Sequence, residues 1–126
     1  MQDKRFVILR HQFPPGSSRT DHYDVMLEAD GSLRVWEVSD WPIVEERAIA
    51  AKLPDHRLAY LEYEGPISGG RGWVTRVDGG LCQRIDPQGS GLAWRLLSSQ
   101  LDGTISFIQM DQEDHRWWVT WSPTVA

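Results

Sequence analysis

The sequence predicts a mainly β protein, a sandwich or a small barrel. Short apolar runs, many of them alternating with polar residues at the period of a strand, follow one another along the chain. Turn signals rich in Asp and Gly separate them, and beyond residue 72 the pattern is strand and turn throughout. There is no internal repeat and no low-complexity tail.

The totals set the frame. With 126 residues, one domain spanning 1–126 is expected, large enough for a single core. Hydrophobic content of 40%, charged content of 25% and a mean hydropathy of -0.43 are those of an ordinary globular protein. No apolar run approaches the roughly 20 residues that span a bilayer. Met1 to Arg5 leads into a strand-like run, not a secretory signal, so no membrane partner and a cytoplasmic location are expected. A single cysteine, Cys82, excludes an internal disulfide and reads as a strand residue. The net charge of -5 argues against coating nucleic acid by bulk electrostatics, although all but Lys4 and Lys52 of the 13 basic residues are arginines.

Taken in order, Arg5–Arg10 is a strand whose Phe6, Val7, Ile8 and Leu9 are expected to be covered on both faces. His11 closes it, and 12–21, with its prolines, glycine and serines, is a loop. His22–Glu28 is the next strand: Tyr23, Val25 and Leu27 share an apolar face, while His22, Asp24, Met26 and Glu28 share the other. Asp30-Gly31 is a hairpin signal leading into Leu33–Val38. Residues 39–46 connect, with 45–47 able to begin a short helix, and 48–53 is open between helix and strand. Residues 54–57 read as a turn, 58–64 as a strand and 67–72 as a glycine-rich loop without the following helix of a P-loop. Strands are expected at 73–77, 81–85, 93–97, 104–110 and 116–121, separated by turns at 78–80, 86–91, 102–103 and 111–114. Most of the seven tryptophans belong to the core or a barrel rim on this reading.

The chemistry is concentrated early. His22 and Asp24 lie on one strand face, spaced to reach one cation. If the flanking strands pair antiparallel, His11 joins them. His-x-Asp alone is a weak signal, and on pattern alone the solvent face of an antiparallel sheet is the better reading of it. Glu28 reads as a partner for an arginine, and His115 as a strand-end residue.

The ordered set is more specific. Phe6-Val7-Ile8 ending in His11, His22-Tyr23-Asp24 with Leu27-Glu28, the Asp30-Gly31 turn, Trp36-Glu37-Val38, then Asp55-His56-Arg57-Leu58-Ala59-Tyr60 and Tyr63-Glu64-Gly65 resemble the 3'-phosphoesterase module of bacterial DNA ligase D. The resemblance covers most of the chain and weakens after the glycine-rich loop. It implies a closed or partly open β-barrel of about eight strands with a metal-binding crevice. It also implies a manganese-dependent phosphoesterase, with zinc or another divalent transition ion as the alternative metal, that removes ribonucleotides or phosphate from the 3' ends of DNA or DNA–RNA strands during repair, alongside DNA repair proteins. Phosphodiester cleavage is favoured over phosphomonoester cleavage. By position, His11, His22 and Asp24 would ligate the metal, His56 would engage the scissile phosphate, and Tyr60 would contact the phosphate or orient that histidine.

The sequence departs from the family pattern at Met26, where the family has a phosphate-binding arginine. It also departs at Leu9 in place of a glutamine, at Pro54 in place of an acidic residue, and in a longer first loop. Arg57, Arg71 or Arg10 are the candidates for a replacement charge. Two other readings compete: a module that keeps barrel and ion but binds nucleic-acid ends or a repair partner without turnover, and an iron oxygenase triad completed by His56 or His115.

Overall fold

A computed structural model describes residues 3–43, 46–85, 91–110 and 115–124. Nine strands occur among them: β1 (Lys4–Gln12), β2 (His22–Ala29), β3 (Ser32–Val38), β4 (Ala48–His56), β5 (Gly65–Pro66), β6 (Trp73–Ile85), β7 (Leu92–Leu97), β8 (Asp102–Gln109) and β9 (Arg116–Pro123). All pairings are antiparallel, in the order β1-β2-β3-β4-β9-β8-β7-β6-β5, and β6 also pairs with β1. That last pairing closes eight strands into a barrel, with β5 added beside the first part of β6. The expected β class and barrel are therefore present, and closure is complete.

Alternation along each strand sorts the side chains into two apolar clusters. The inward set holds Phe6, Ile8, Val25, Leu27, Trp36, Trp94, Leu96, Ile105, Phe107 and Val119. Trp36 stacks on Phe107, ring centroids 4.0 Å apart at 14°, and meets Trp94 edge-on from the far side of the barrel. The outward set on β1, β2 and β3 is also buried: Val7, Leu9, Met26, Leu33 and Val35 pack with Val74 beneath Leu61. Phe6 to Leu9 are thus covered on both faces, as expected from their unbroken apolar run.

The cover explains one departure from expectation. Residues 58–64 do not form a strand: Leu58–Leu61 is a 3-10 helix, with Tyr60 N–H donating to the Arg57 carbonyl at 3.1 Å and Glu62 N–H to that of Ala59 at 3.2 Å. Leu58 and Leu61, three apart, fall on one side of such a helix and pack on the outward cluster, a docking that local periodicity cannot reveal. The ambiguous segment 48–53 is strand and continues to His56, so the turn expected at 54–57 begins later.

Two turn expectations also fail for one reason. Asp78-Gly79-Gly80 lies inside the 13-residue β6, at the register shift against Ile8 and Leu9 of β1. A Cβ on Gly80 would sit 2.3 Å from the Leu97 carbonyl oxygen. The glycines there admit neighbouring backbones at a bulge instead of reversing the chain. Asp102-Gly103 likewise begins β8, the reversal falling at 98–101, where Ser98 N–H donates to the Leu101 carbonyl at 2.8 Å. Asp30-Gly31 is a hairpin turn as expected, both residues having positive φ (52° and 82°). The turns expected at 86–90 and 111–114, and the start of the possible helix at residue 45, lie outside the described residues.

Candidate metal centre

The antiparallel register of β1 and β2 places His11 directly opposite His22 and Leu9 opposite Asp24. His11, His22 and Asp24 therefore project from the outward face, just beyond the apolar cluster that contains Met26. One ligand atom from each lies within 4.8 Å of the others. Asp24 is 3% exposed and His22 6%.

The hydrogen bonds around the rings fix how they face. His11 Nε2 lies 2.7 Å from the Arg71 carbonyl oxygen, and His22 Nδ1 lies 3.0 Å from that of Thr20. A carbonyl only accepts, so each of these nitrogens carries the hydrogen. In the neutral rings the remaining nitrogens, His11 Nδ1 and His22 Nε2, present lone pairs towards Asp24, at 3.6 Å from Oδ2 and 3.2 Å from Oδ1. The shorter approach lacks hydrogen-bond geometry, and Asp24 Oδ1 is buried without a donor. Two lone pairs and a buried carboxylate converging on one point repel unless a positive charge sits among them.

The titration tendencies agree. Burial alone would lower the His22 pKa, but the Asp24 carboxylate, the Thr20 carbonyl and Glu37 outweigh it and hold it above its ordinary value. Burial alone would raise that of Asp24, and His11 and His22 hold it below the usual carboxylate range. Both shifts say that positive charge is favoured there. Two imidazoles and one carboxylate form a donor set suited to Zn²⁺, Mn²⁺ or Fe²⁺, so the residues fit a divalent ion.

The triad opens into a crevice of about 250 Å³. His56, at the end of β4, lines it and donates Nδ1–H to the Pro54 carbonyl at 2.8 Å, leaving Nε2 free to accept or carry a proton. Tyr60 packs against it, ring centroids 5.4 Å apart. Arg71 also lines the crevice, but its Nε and Nη2 donate to Ser68 in its own loop. Arg57 borders a neighbouring groove with Tyr60, and Arg10, alternating with His11, belongs to the opposite strand face. His115 is exposed, outside the crevice, and the third residue gathered with His22 and Asp24 is His11. An oxygenase triad completed by His56 or His115 is not assembled.

A family model described as the DNA Ligase D 3'-phosphoesterase domain matches residues 16–119. The chain belongs to that family. A relative is the multifunctional non-homologous end joining protein LigD of Pseudomonas aeruginosa, 37% identical over 104 residues. The alignment covers 79% of this chain but only 12% of that protein, so the 3'-phosphoesterase-like chain spans a small part of its relative's length. The family match takes in His22, Asp24, His56 and Tyr60 and begins after His11.

Several crevice residues escape the sequence reading. Phe13 stacks on His11 at 4.3 Å. Glu37 stands opposite Asp24 on β3, its Oε1 3.3 Å from His22 Nε2. Arg19, from the first loop, reaches the same oxygen at 3.2 Å. Glu37 did have a signal: the two-residue turn pairs Ala29 with Ser32, and counting back from it pairs Asp24 with Glu37. Arg19 had none, since loop composition does not specify loop direction.

Proposed function

We propose that this protein is a divalent-metal-dependent phosphoesterase that trims phosphate or ribonucleotides from the 3' ends of DNA or DNA–RNA strands in end-joining repair. The observation that carries the reading is the pair of imidazoles whose outer nitrogens are tied to the Arg71 and Thr20 carbonyls while their inner nitrogens face the two oxygens of the buried Asp24 carboxylate, one of which, Oδ1, has no donor. Family membership supplies the substrate class.

His11, His22 and Asp24 would hold the ion, Mn²⁺ or Zn²⁺ by donor chemistry. Such an ion, when bound, neutralises phosphate charge and activates an attacking water. The protein's own residues do the rest. The carbonyls of Arg71 and Thr20 keep the two rings from turning, so the donors stay preorganised. His56 is held through Nδ1, and its Nε2, when protonated, delivers a proton to the leaving oxygen. Tyr60 limits the rotation of that ring.

A non-catalytic end-binding module is the second reading, favoured by Met26, which is 1% exposed and offers the crevice no charge. One experiment separates them: metal analysis of the purified protein, together with Mn²⁺-supplemented assays on primers ending in a 3'-phosphate or a 3'-ribonucleotide. Trimming by the parent and its loss by at least about 100-fold in His22→Ala are expected. Trimming that survives that substitution defeats the catalytic reading, and a parent without turnover leaves the binding module.

A further inference from the structure

A guanidinium facing the crevice would suit a terminal phosphate, and the basic side chains around it differ in how free they are. Met26 is buried among apolar neighbours. Arg71 has two of its nitrogens engaged with Ser68. Arg19 is different. Its guanidinium carbon stands 5.2 Å over the Phe13 ring, and its Nη2 makes a single ion pair with Glu37 Oε1 at 3.2 Å. The side chain keeps 59% of its surface open, so most of its five N–H donors remain unspent at the mouth of the crevice.

We infer that Arg19 binds the terminal phosphate of the substrate and that Glu37 positions it. The assignment deepens the phosphoesterase reading and rests on it for the identity of the ligand. Glu37 Oε1 touches both the guanidinium and His22 Nε2, so the two are one carboxylate oxygen apart, a separation that a single phosphate group spans. Arginine suits this task because its planar fork offers parallel donors to two phosphate oxygens. Phe13 restrains the guanidinium from the loop side, as it restrains the His11 ring, so one aromatic orders a metal ligand and the phosphate donor together.

The test uses the full chain without metal, in chelator, and compares by fluorescence anisotropy two oligonucleotides that differ only in a 3'-phosphate or a 3'-hydroxyl. The parent is expected to prefer the phosphate. Arg19→Gln, which can still hydrogen-bond Glu37, should lose about 10- to 100-fold in affinity for the phosphate end and little for the hydroxyl end. Arg19→Lys should retain part of the preference, and Arg95→Gln, the same charge change outside the crevice, should retain all of it. A parent without preference, or an Arg19→Gln protein that keeps the parent's preference, overturns the assignment. With Mn²⁺ present, a parent that trims ends equally well with and without Arg19 leaves the phosphoesterase reading standing and removes Arg19 from it. An inactive parent whose end preference depends on Arg19 does the reverse.

Discussion

The thiol of Cys82 sits in β6 with its sulfur 3.4 Å from the Arg5 carbonyl oxygen, and burial pushes its pKa up to about 11 from an ordinary 9.0. Because the folded value lies above the unfolded one, the thiol's contribution to stability is complete below the ordinary value and is lost as pH rises through about 11. At pH 8 the native protein should therefore carry about a hundredfold less thiolate than the unfolded chain and react correspondingly slowly with iodoacetamide. Equal alkylation rates with and without urea would contradict this. The same scale shows what a sequence reveals about single residues. His11, His22 and Asp24 are legible because a strand has period two and a hairpin-like return brings its ends together, which needs no knowledge of the rest of the fold. Arg19 is illegible because its position depends on a loop shaped by contacts such as the Phe13 N–H donating to Asp21 Oδ1 at 2.8 Å and the Arg19 N–H to Ser17 Oγ at 3.1 Å.

Among the elements, the glycine-rich loop changes meaning once seen. Its sequence reads as a glycine-rich turn without the helix of a P-loop, yet it serves the crevice through a carbonyl, that of Arg71, accepting from His11. The loop is closed by Ile67 N–H donating to the Gly72 carbonyl at 2.8 Å, and Gly72 has φ of +80°. A Cβ there would lie 1.9 Å from the Gln12 carbonyl oxygen, on the residue that follows His11. Gly72→Ala must displace the loop from the end of β1, at a cost on the order of 1–3 kcal/mol for the backbone conformation alone. The expected outcome is a lowered urea midpoint together with weakened Mn²⁺ uptake, read by titration calorimetry. A variant that binds the ion as the parent does would show that the Arg71 carbonyl is dispensable for aiming His11. The 3-10 helix at 58–61 gives the same lesson: Leu58, Tyr60 and Leu61 satisfy a strand pattern and a single helical turn about equally, and only the apolar patch waiting on β1–β3 decides between them.

At the scale of the molecule, a sheet becomes a barrel through one strand. β1 pairs with β2 on one side and with β6 on the other, and it also carries His11. The match to the family model begins only at residue 16, past the end of that strand. A chain shortened to start at Gly16 would forfeit an imidazole and, at the same time, leave β2 and β6 with unsatisfied amides and carbonyls along two naked margins. Such a fragment should elute as multimers in gel filtration and take up no Mn²⁺, whereas restoring residues 3–15 as a separate peptide should recover both a monodisperse species and the ion. Residues 4–12 thus hold both the seam and one corner of the candidate metal site: splitting the cylinder open and dismantling that triad are, for this protein, one event.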